Sequence, residues 1–429
     1  MVEGGLVLLG LLVVLLAGLP IAFALGLIGY FGIWAVRNMN AANSVTVNQI
    51  FDLAQTHTFT VLPLFILMGN LIARARISHD LYAASNAFLG QYRGGLAMAT
   101  IAACGGFSAV SGSSMATAST MARVAMPPMR RHGYSDALAA GSITAGGTLG
   151  ILIPPSVILL IYGILTSTNI GHLFIAGIVP GILAVIGYMA AIAIVTRLDP
   201  AAGPAGRRAP WSERLQLLRG VWPIVALFVL VLGGIYFGVF TPTEAAGIGA
   251  AGAFLFVILR RRLTFVSFID ILAESARTSA MMIALLFGAT LFNNFLDMMG
   301  FARALAAWMD AVNLTPMTAL LMMMAVYLVL GLFLESLSMM LLTIPIFFPI
   351  VQILGIDPVW FGILVVVAIE ISLITPPVGL NVFILKIMVK NISLATIFRG
   401  IVPFFIADLV RLAILLAFPA LVLFLPRMM

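Results

Sequence analysis

Hydroxyl and glycine residues crowd into four short stretches of an otherwise apolar chain. The first is Gly105–Thr120, GGFSAVSGSSMATAST. The second joins Gly147-Thr148 to Ile153-Pro154-Pro155-Ser156. The third is Glu335-Ser336-Leu337-Ser338, with Thr343 just beyond, and the fourth is Thr375-Pro376-Pro377-Val378-Gly379-Leu380-Asn381. Such residues favour irregular backbone over a long helix. Proline also removes an amide donor and restricts the residue before it. Unwound backbone presents free amides and carbonyls, and with Ser and Thr hydroxyls it offers a shell of neutral oxygens suited to a hard cation such as Na⁺. The candidate ion ligands are Ser111, Gly112, Ser113, Ser114 and Thr117, then Gly147, Thr148, Pro154 and Ser156, then Thr343, Thr375, Pro376 and Gly379. Ser111, Ser114, Glu335, Ser336, Ser338 and Asn381 are the candidates to meet a solute. The competing reading is that small residues let helices pack closely.

Charged groups inside apolar segments are costly and need separate accounting. Glu335 either meets substrate or cation, or caps a hairpin. Glu370 reads as structural. Asp408 and Arg411 lie three apart and can pair on one helix face. Glu244 follows Thr-Pro-Thr at a helix start, where an acid favours the helix dipole. His57 and His132 have no neighbouring His or Cys to suggest a metal. There is no Walker A motif, Gly-x-Ser-x-Gly elbow or His-Glu-x-x-His helix, so ATP hydrolysis by this chain and a membrane hydrolase are poor readings. The chain is not expected to be an enzyme.

The elements that must position these stretches are membrane helices. The 429 residues are 62% hydrophobic and 9% charged, with mean hydropathy +1.18. Soluble domains carry about 25% charged residues, so a polytopic all-α membrane protein is the class that fits. The net charge of +7 sits in short clusters between apolar runs, which is a topology signal rather than a nucleic-acid one. One cysteine, Cys104, excludes an intrachain disulfide. The first apolar run reads as mature membrane helix rather than a cleaved signal.

In chain order, 4–36 is one tilted helix or two short ones, and Asn38–Asp52 is a polar patch. A helix is expected at 58–73 and an interfacial one at 78–92. The region 94–127 is a re-entrant hairpin ended by Pro127-Pro128, and 136–166 is a broken helix. The uncharged Ser167–Gly171 linker leads into 172–196. A polar linker, 198–219, separates residues 1–197 from 220–429. Helices follow at about 221–240, 243–259 and 275–297, then a second hairpin at 314–354, a second broken helix at 359–390 and a last helix at 400–425.

The halves repeat at an offset of 222. Pro20 matches Pro242, Ser114 matches Ser336, Pro127 matches Pro349, and Pro154-Pro155 match Pro376-Pro377. Arginine placement sets Arg74, Arg76, Arg130, Arg131, the 197–219 segment and Arg260–Arg262 on the cytoplasmic side. Each half then has about five crossings and one hairpin. Five is odd, so the repeats are inverted and the chain begins and ends outside. Inverted repeats with broken helices are the architecture of secondary transporters.

Four motifs in this order carry a family resemblance: Phe107-Ser-Ala-Val-Ser-Gly-Ser-Ser114, Gly147-Thr-Leu-Gly-Ile-Leu-Ile-Pro-Pro-Ser156, Phe240-Thr-Pro-Thr-Glu-Ala245 and Thr375-Pro-Pro-Val-Gly-Leu-Asn381. Along its whole length the chain resembles the large membrane subunit of tripartite ATP-independent periplasmic (TRAP) transporters. The resemblance implies a bacterial or archaeal inner-membrane permease of the elevator type, driven by a sodium gradient. It also implies a small four-helix membrane subunit and a periplasmic binding protein that delivers an organic acid, such as a C4-dicarboxylate, sialic acid or another sugar or keto acid. The second tip reads Leu334-Glu-Ser-Leu-Ser338, where an aspartate is expected in many relatives. Substrate is expected between the two tips, with a sodium ion beside each.

Overall fold

The computed structural model describes residues 7–429 except 8, 9, 12, 15, 16, 75, 76, 262, 312 and 378. Arg76, Arg262 and Val378, the first residues of 4–36, and the side chain of His57 therefore lie outside the described residues. All regular elements described are helical. They are α1 (Ile21–Val36), α2 (Met39–Gln55), α3 (Val61–Arg74), α4 (Ile77–Leu89), α5 (Gly95–Ser111), α6 (Ser114–Arg131), α7 (Asp136–Thr148), α8 (Val157–Thr166) and α9 (Ile170–Leu198). The rest are α10 (Trp211–Tyr236), α11 (Pro242–Leu259), α12 (Phe265–Met298), α13 (Phe301–Ala311), α14 (Pro316–Leu330), α15 (Ser336–Ile353), α16 (Pro358–Ser372), α17 (Leu380–Met388), α18 (Leu394–Ala417) and the one-turn α19 (Ala420–Leu423), with short 3₁₀ helices between some of them.

Helix length separates two roles. Among the described residues, six helices are long and apolar enough to cross a membrane alone: α9, α10, α11, α12, α15 and α18. The 17 residues of α5 and the 13 of α7 reach only about 25 and 20 Å, short of the roughly 30 Å hydrocarbon core. Such segments stop part-way. Large apolar side chains such as Phe23, Trp222 and Phe265 are exposed on the outer helices, as lipid contact allows.

Several boundaries differ from the sequence reading. Gly18 has φ +87 and α1 starts after Pro20, so 4–36 does not run on as one helix. The polar patch after Asn38 is helix α2, capped by the Asn38 side chain on Ala41 N. Pro127-Pro128 do not end the first hairpin. α6 continues to Arg131 because the amides of His132 and Tyr134 reach back to the Pro128 and Met129 carbonyls at 3.1 Å. The polar linker is shorter than expected, since α10 begins at Trp211. It is also strapped down: Gly203 O accepts from Gly94 N (2.8 Å), Ala202 O from Ser135 N (3.0 Å) and Gly90 O from Gly206 N (2.8 Å).

Element boundaries recur at the 222-residue offset. The bounds of α6, 114 and 131, become 336 and 353, the bounds of α15. The start of α7, 136, becomes 358, the start of α16. Contacts are reciprocal as well: α6 packs on α17 and α15 on α8, while α7 packs on α18 and α16 on α9. The α7–α18 pair is the closest kind of helix crossing. A methyl on Gly400 would stand 1.9 Å from Ala137 O, and one on Gly141 2.1 Å from Gly400 O. Backbones meet this closely only over small residues.

Candidate functional site

At the first tip, α5 ends on Ser111 and the chain turns at Gly112, φ +58. Ser113 is extended and caps α6, accepting from Ala116 N at 3.4 Å. Thr117 Oγ1 donates to Ser113 O at 2.9 Å and lies 2.9 Å from Ser111 Oγ. The single Thr117 proton is used on Ser113, so Ser111 donates to Thr117 and keeps its lone pairs. Three oxygens of the candidate set are thus already grouped. A methyl on Gly112 would lie 2.9 Å from Pro155 O, and one on Gly150 2.5 Å from Ser113 O. The structure therefore brings the first two stretches together, tip against break.

The first break is a 3₁₀ turn at Leu149–Ile151 followed by irregular chain to Ser156. The Pro154–Pro155 bond is cis, as is Pro376–Pro377 in the second break. Ser156 donates to Ile151 O and caps α8 through Leu159 N at 3.3 Å. Gly147 fits beneath Ala118, 2.7 Å from where its methyl would be. Thr148 is fully buried. Its hydroxyl is engaged with Ala145 O at 2.8 Å and Tyr188 OH at 3.2 Å.

The second tip turns at Gly331–Leu334, ahead of the Glu335–Ser338 position read from sequence. Glu335 is the N-cap of α15, accepting from Ser338 N at 3.3 Å and Ser338 Oγ at 3.1 Å. Its carboxylate therefore occupies the amide end of this helix, the capping alternative. Ser336 opens α15 and is buried. Thr343 lies two turns further along, its hydroxyl 2.8 Å from Met339 O and 2.5 Å from Tyr327 OH, tying α15 to α14. Gly331 packs on Ser372, at the end of α16, so this tip too meets its break. There Thr375 Oγ1 donates to Ile371 O at 2.6 Å. Gly379, φ +58, leads into α17 with no side-chain cap. Asn381 is fully buried and reaches Thr144 O at 3.5 Å, joining α17 to α7.

A buried polar chain crosses this core. Tyr188 OH donates to Asp408 Oδ2 at 2.7 Å. Arg411 Nη2 lies 2.9 Å from Asp408 Oδ1 and 2.6 Å from Glu370 Oε2. The Asp408–Arg411 pair follows from the sequence spacing. No local spacing marks the third member, Glu370, or the tyrosine as partners, although a charge inside an apolar helix is itself the signal. Glu244 caps α11 in a box with Thr241. His132 Nδ1 lies 2.8 Å from its own helix's Pro128 O. Among the described residues no group of three His, Cys, Asp or Glu could hold a metal.

Two helical hairpins whose tips rest on two broken helices, packed with apolar helices long enough to cross a membrane, define an all-helical membrane fold. Fold comparison agrees: the chain is similar to the Alcanivorax borkumensis YdaH transporter, with TM-score 0.62, 16% identity and 90% of each chain covered. The chain belongs to the family described as tripartite ATP-independent periplasmic transporter, DctM component, whose model matches residues 8–421. It is 39% identical to the C4-dicarboxylate TRAP transporter large permease of Pseudomonas aeruginosa, over 88% of each chain. It is 32% identical to the sialic acid TRAP transporter large permease of Vibrio cholerae, over 98% of this chain and 97% of that one. It is also 32% identical to the ectoine TRAP transporter large permease of Halomonas elongata, over 96% of each. The protein is thus a multi-pass inner-membrane TRAP large permease, a member of a family of transporter permeases.

Proposed function

We propose that this subunit carries an organic acid inward, coupled to sodium, after a periplasmic binding protein delivers it and beside a small four-helix membrane subunit. The observation that carries the reading is the oxygen group at the first tip, Ser111, Ser113 and Thr117, held against the Gly147–Ser156 break. Neutral oxygens from a turn and a helix end suit Na⁺ and need no acid. The second tip differs: Glu335 places a carboxylate on the amide end of α15. That supports a cation beside it and disfavours a substrate carboxylate there. The N-terminus of α17, without a side-chain cap, supports the substrate's acid group, since free amides and the helix dipole favour an anion. The reciprocal halves support inverted repeats, and the two tips support an elevator in which the hairpins and broken helices move together. The relatives' substrates, a C4-dicarboxylate, sialic acid and ectoine, differ at similar identity, so which acid is carried is a property of the whole system.

The test is uptake into proteoliposomes holding all three components, titrated with sodium. Ser111→Ala, which removes a side-chain oxygen of the first-tip group, and Thr375→Ala are expected to raise the sodium concentration needed for half-maximal uptake. An unchanged titration in both variants would sink the ion-site assignment.

A further inference from the structure

The second arm of the first hairpin carries a polar stripe that its counterpart lacks. On α6, Ala116, Ser119, Thr120, Arg123, Pro127 and Arg130 are half-buried or exposed, and their spacing puts them on one helix face. At the matching positions of α15, Ser338, Leu341, Leu342 and Pro345 are buried, and only Pro349 and Gln352 near its end are half-buried or exposed. Arg123 falls eight positions before the end of α6 at Arg131, roughly 12 Å along the axis. Among the described residues it has no hydrogen bond or ion pair, and neither has the Lys390 ammonium. Arg130, by contrast, is held by Asp136 at 2.8 Å.

Arg123, Arg130 and Lys390 border one cavity of about 670 Å³, together with Met126 and Asn391. At the 222-residue offset these three cations correspond to Pro345, Gln352 and Thr168. The matching arm of the second hairpin borders a cavity of about 150 Å³, whose charged group is Asp297. One side is wide and cationic, the other narrow with an acid. Topology alone favours basic residues at the cytoplasmic membrane surface. It does not account for an unpaired arginine one-third to one-half of the way into a hairpin arm. Such a group is costly in lipid, a cost relieved where it borders an aqueous cavity.

We propose that this cavity is an aqueous inlet that binds the carboxylate of a small organic acid between the first tip and the cytoplasm, with Arg123 and Lys390 as its anion-binding groups. The inlet rests on the transport reading under Proposed function and on the cytoplasmic placement of the basic clusters expected from the sequence, and it deepens that reading by naming a release route. Two unpaired cations raise the local concentration of small anions. Ser119 and Thr120 continue the polar surface toward Ser113 and Thr117.

The test reads chemistry at the cavity itself. Cys104 is fully buried, so a single added thiol can be followed in membrane vesicles containing the assembled permease. Arg123→Cys, and as a second variant Lys390→Cys, should be modified by water-soluble methanethiosulfonates added at the cytoplasmic face. The anionic sulfonate reagent should react about tenfold faster than the cationic ammonium one. In phosphatidylcholine vesicles, millimolar succinate should slow the sulfonate reaction of the Lys390→Cys variant, and adding Arg123→Gln should remove that protection. Absence of labelling in both variants, or equal rates for the two reagents, overturns the inlet. Protection by anionic lipid with none by succinate also overturns it, in favour of a lipid headgroup site. Labelling confined to the opposite face refutes the orientation while leaving the charge preference readable. Failure of sodium-coupled uptake is scored separately in the proteoliposome assay.

Discussion

Arg411 answers two carboxylates with one charge. Arg411, Asp408 and Glu370 are all buried, at 4%, 0% and 0% exposure. Breaking a buried pair by removing one partner costs about 3–5 kcal/mol, because it strands a charge. Arg411→Leu strands two acids and should lower the thermal stability of the purified permease by about that much. Glu370→Gln leaves the Asp408–Arg411 pair intact and should cost clearly less in the same melting experiment. Equal losses in the two variants would show that the Glu370 charge is required. The sequence exposes Asp408 and Arg411 as partners because they are one turn apart. Glu370 is 41 positions away and Tyr188 is 220 from Asp408, so no local spacing announces either.

Among the elements, tip and break depend on glycine where backbones touch. Gly150 admits the Ser113 carbonyl to within 2.5 Å of where a side chain would begin. Gly150→Val must push that carbonyl away, at an overpacking cost of about 1–3 kcal/mol. The expected result is a lower melting temperature together with weakened sodium dependence, since Ser113 would shift from Ser111 and Thr117. A melting curve and a sodium titration both at wild-type values would refute the tip-on-break contact. The existence of both hairpins and both breaks was legible, because glycine, serine and paired prolines act on the residues beside them. Their exact ends were less so. Pro127-Pro128 looked like a stop, yet the following amides complete the last turn. Glu335 looked like the turn itself, yet it is the cap after it.

For the whole molecule, orientation is the quantity open to direct test. Thr168 lies in the uncharged linker and Arg208 in the strapped polar one. Thr168→Cys should be labelled by an impermeant thiol reagent from the periplasmic side and Arg208→Cys from the cytoplasmic side. Labelling of both from one side would overturn the inverted arrangement of the halves.

The amino-acid sequence by itself determined the membrane class, the order of the helices, the four irregular stretches and the 222-residue repeat. Each is set by composition or by residues adjacent in the chain, where apolar run length, missing amides and positive φ act locally. Only the tertiary structure decided that Gly112 sits on Pro155, that Glu370 joins Arg411, that the Thr148 and Thr343 hydroxyls lie against tyrosines of other helices, and that Arg123 opens into a cavity while Pro345 is buried. These are contacts between segments distant in the chain. They depend on how helices of the two halves are packed in space, which identical local patterns leave undetermined.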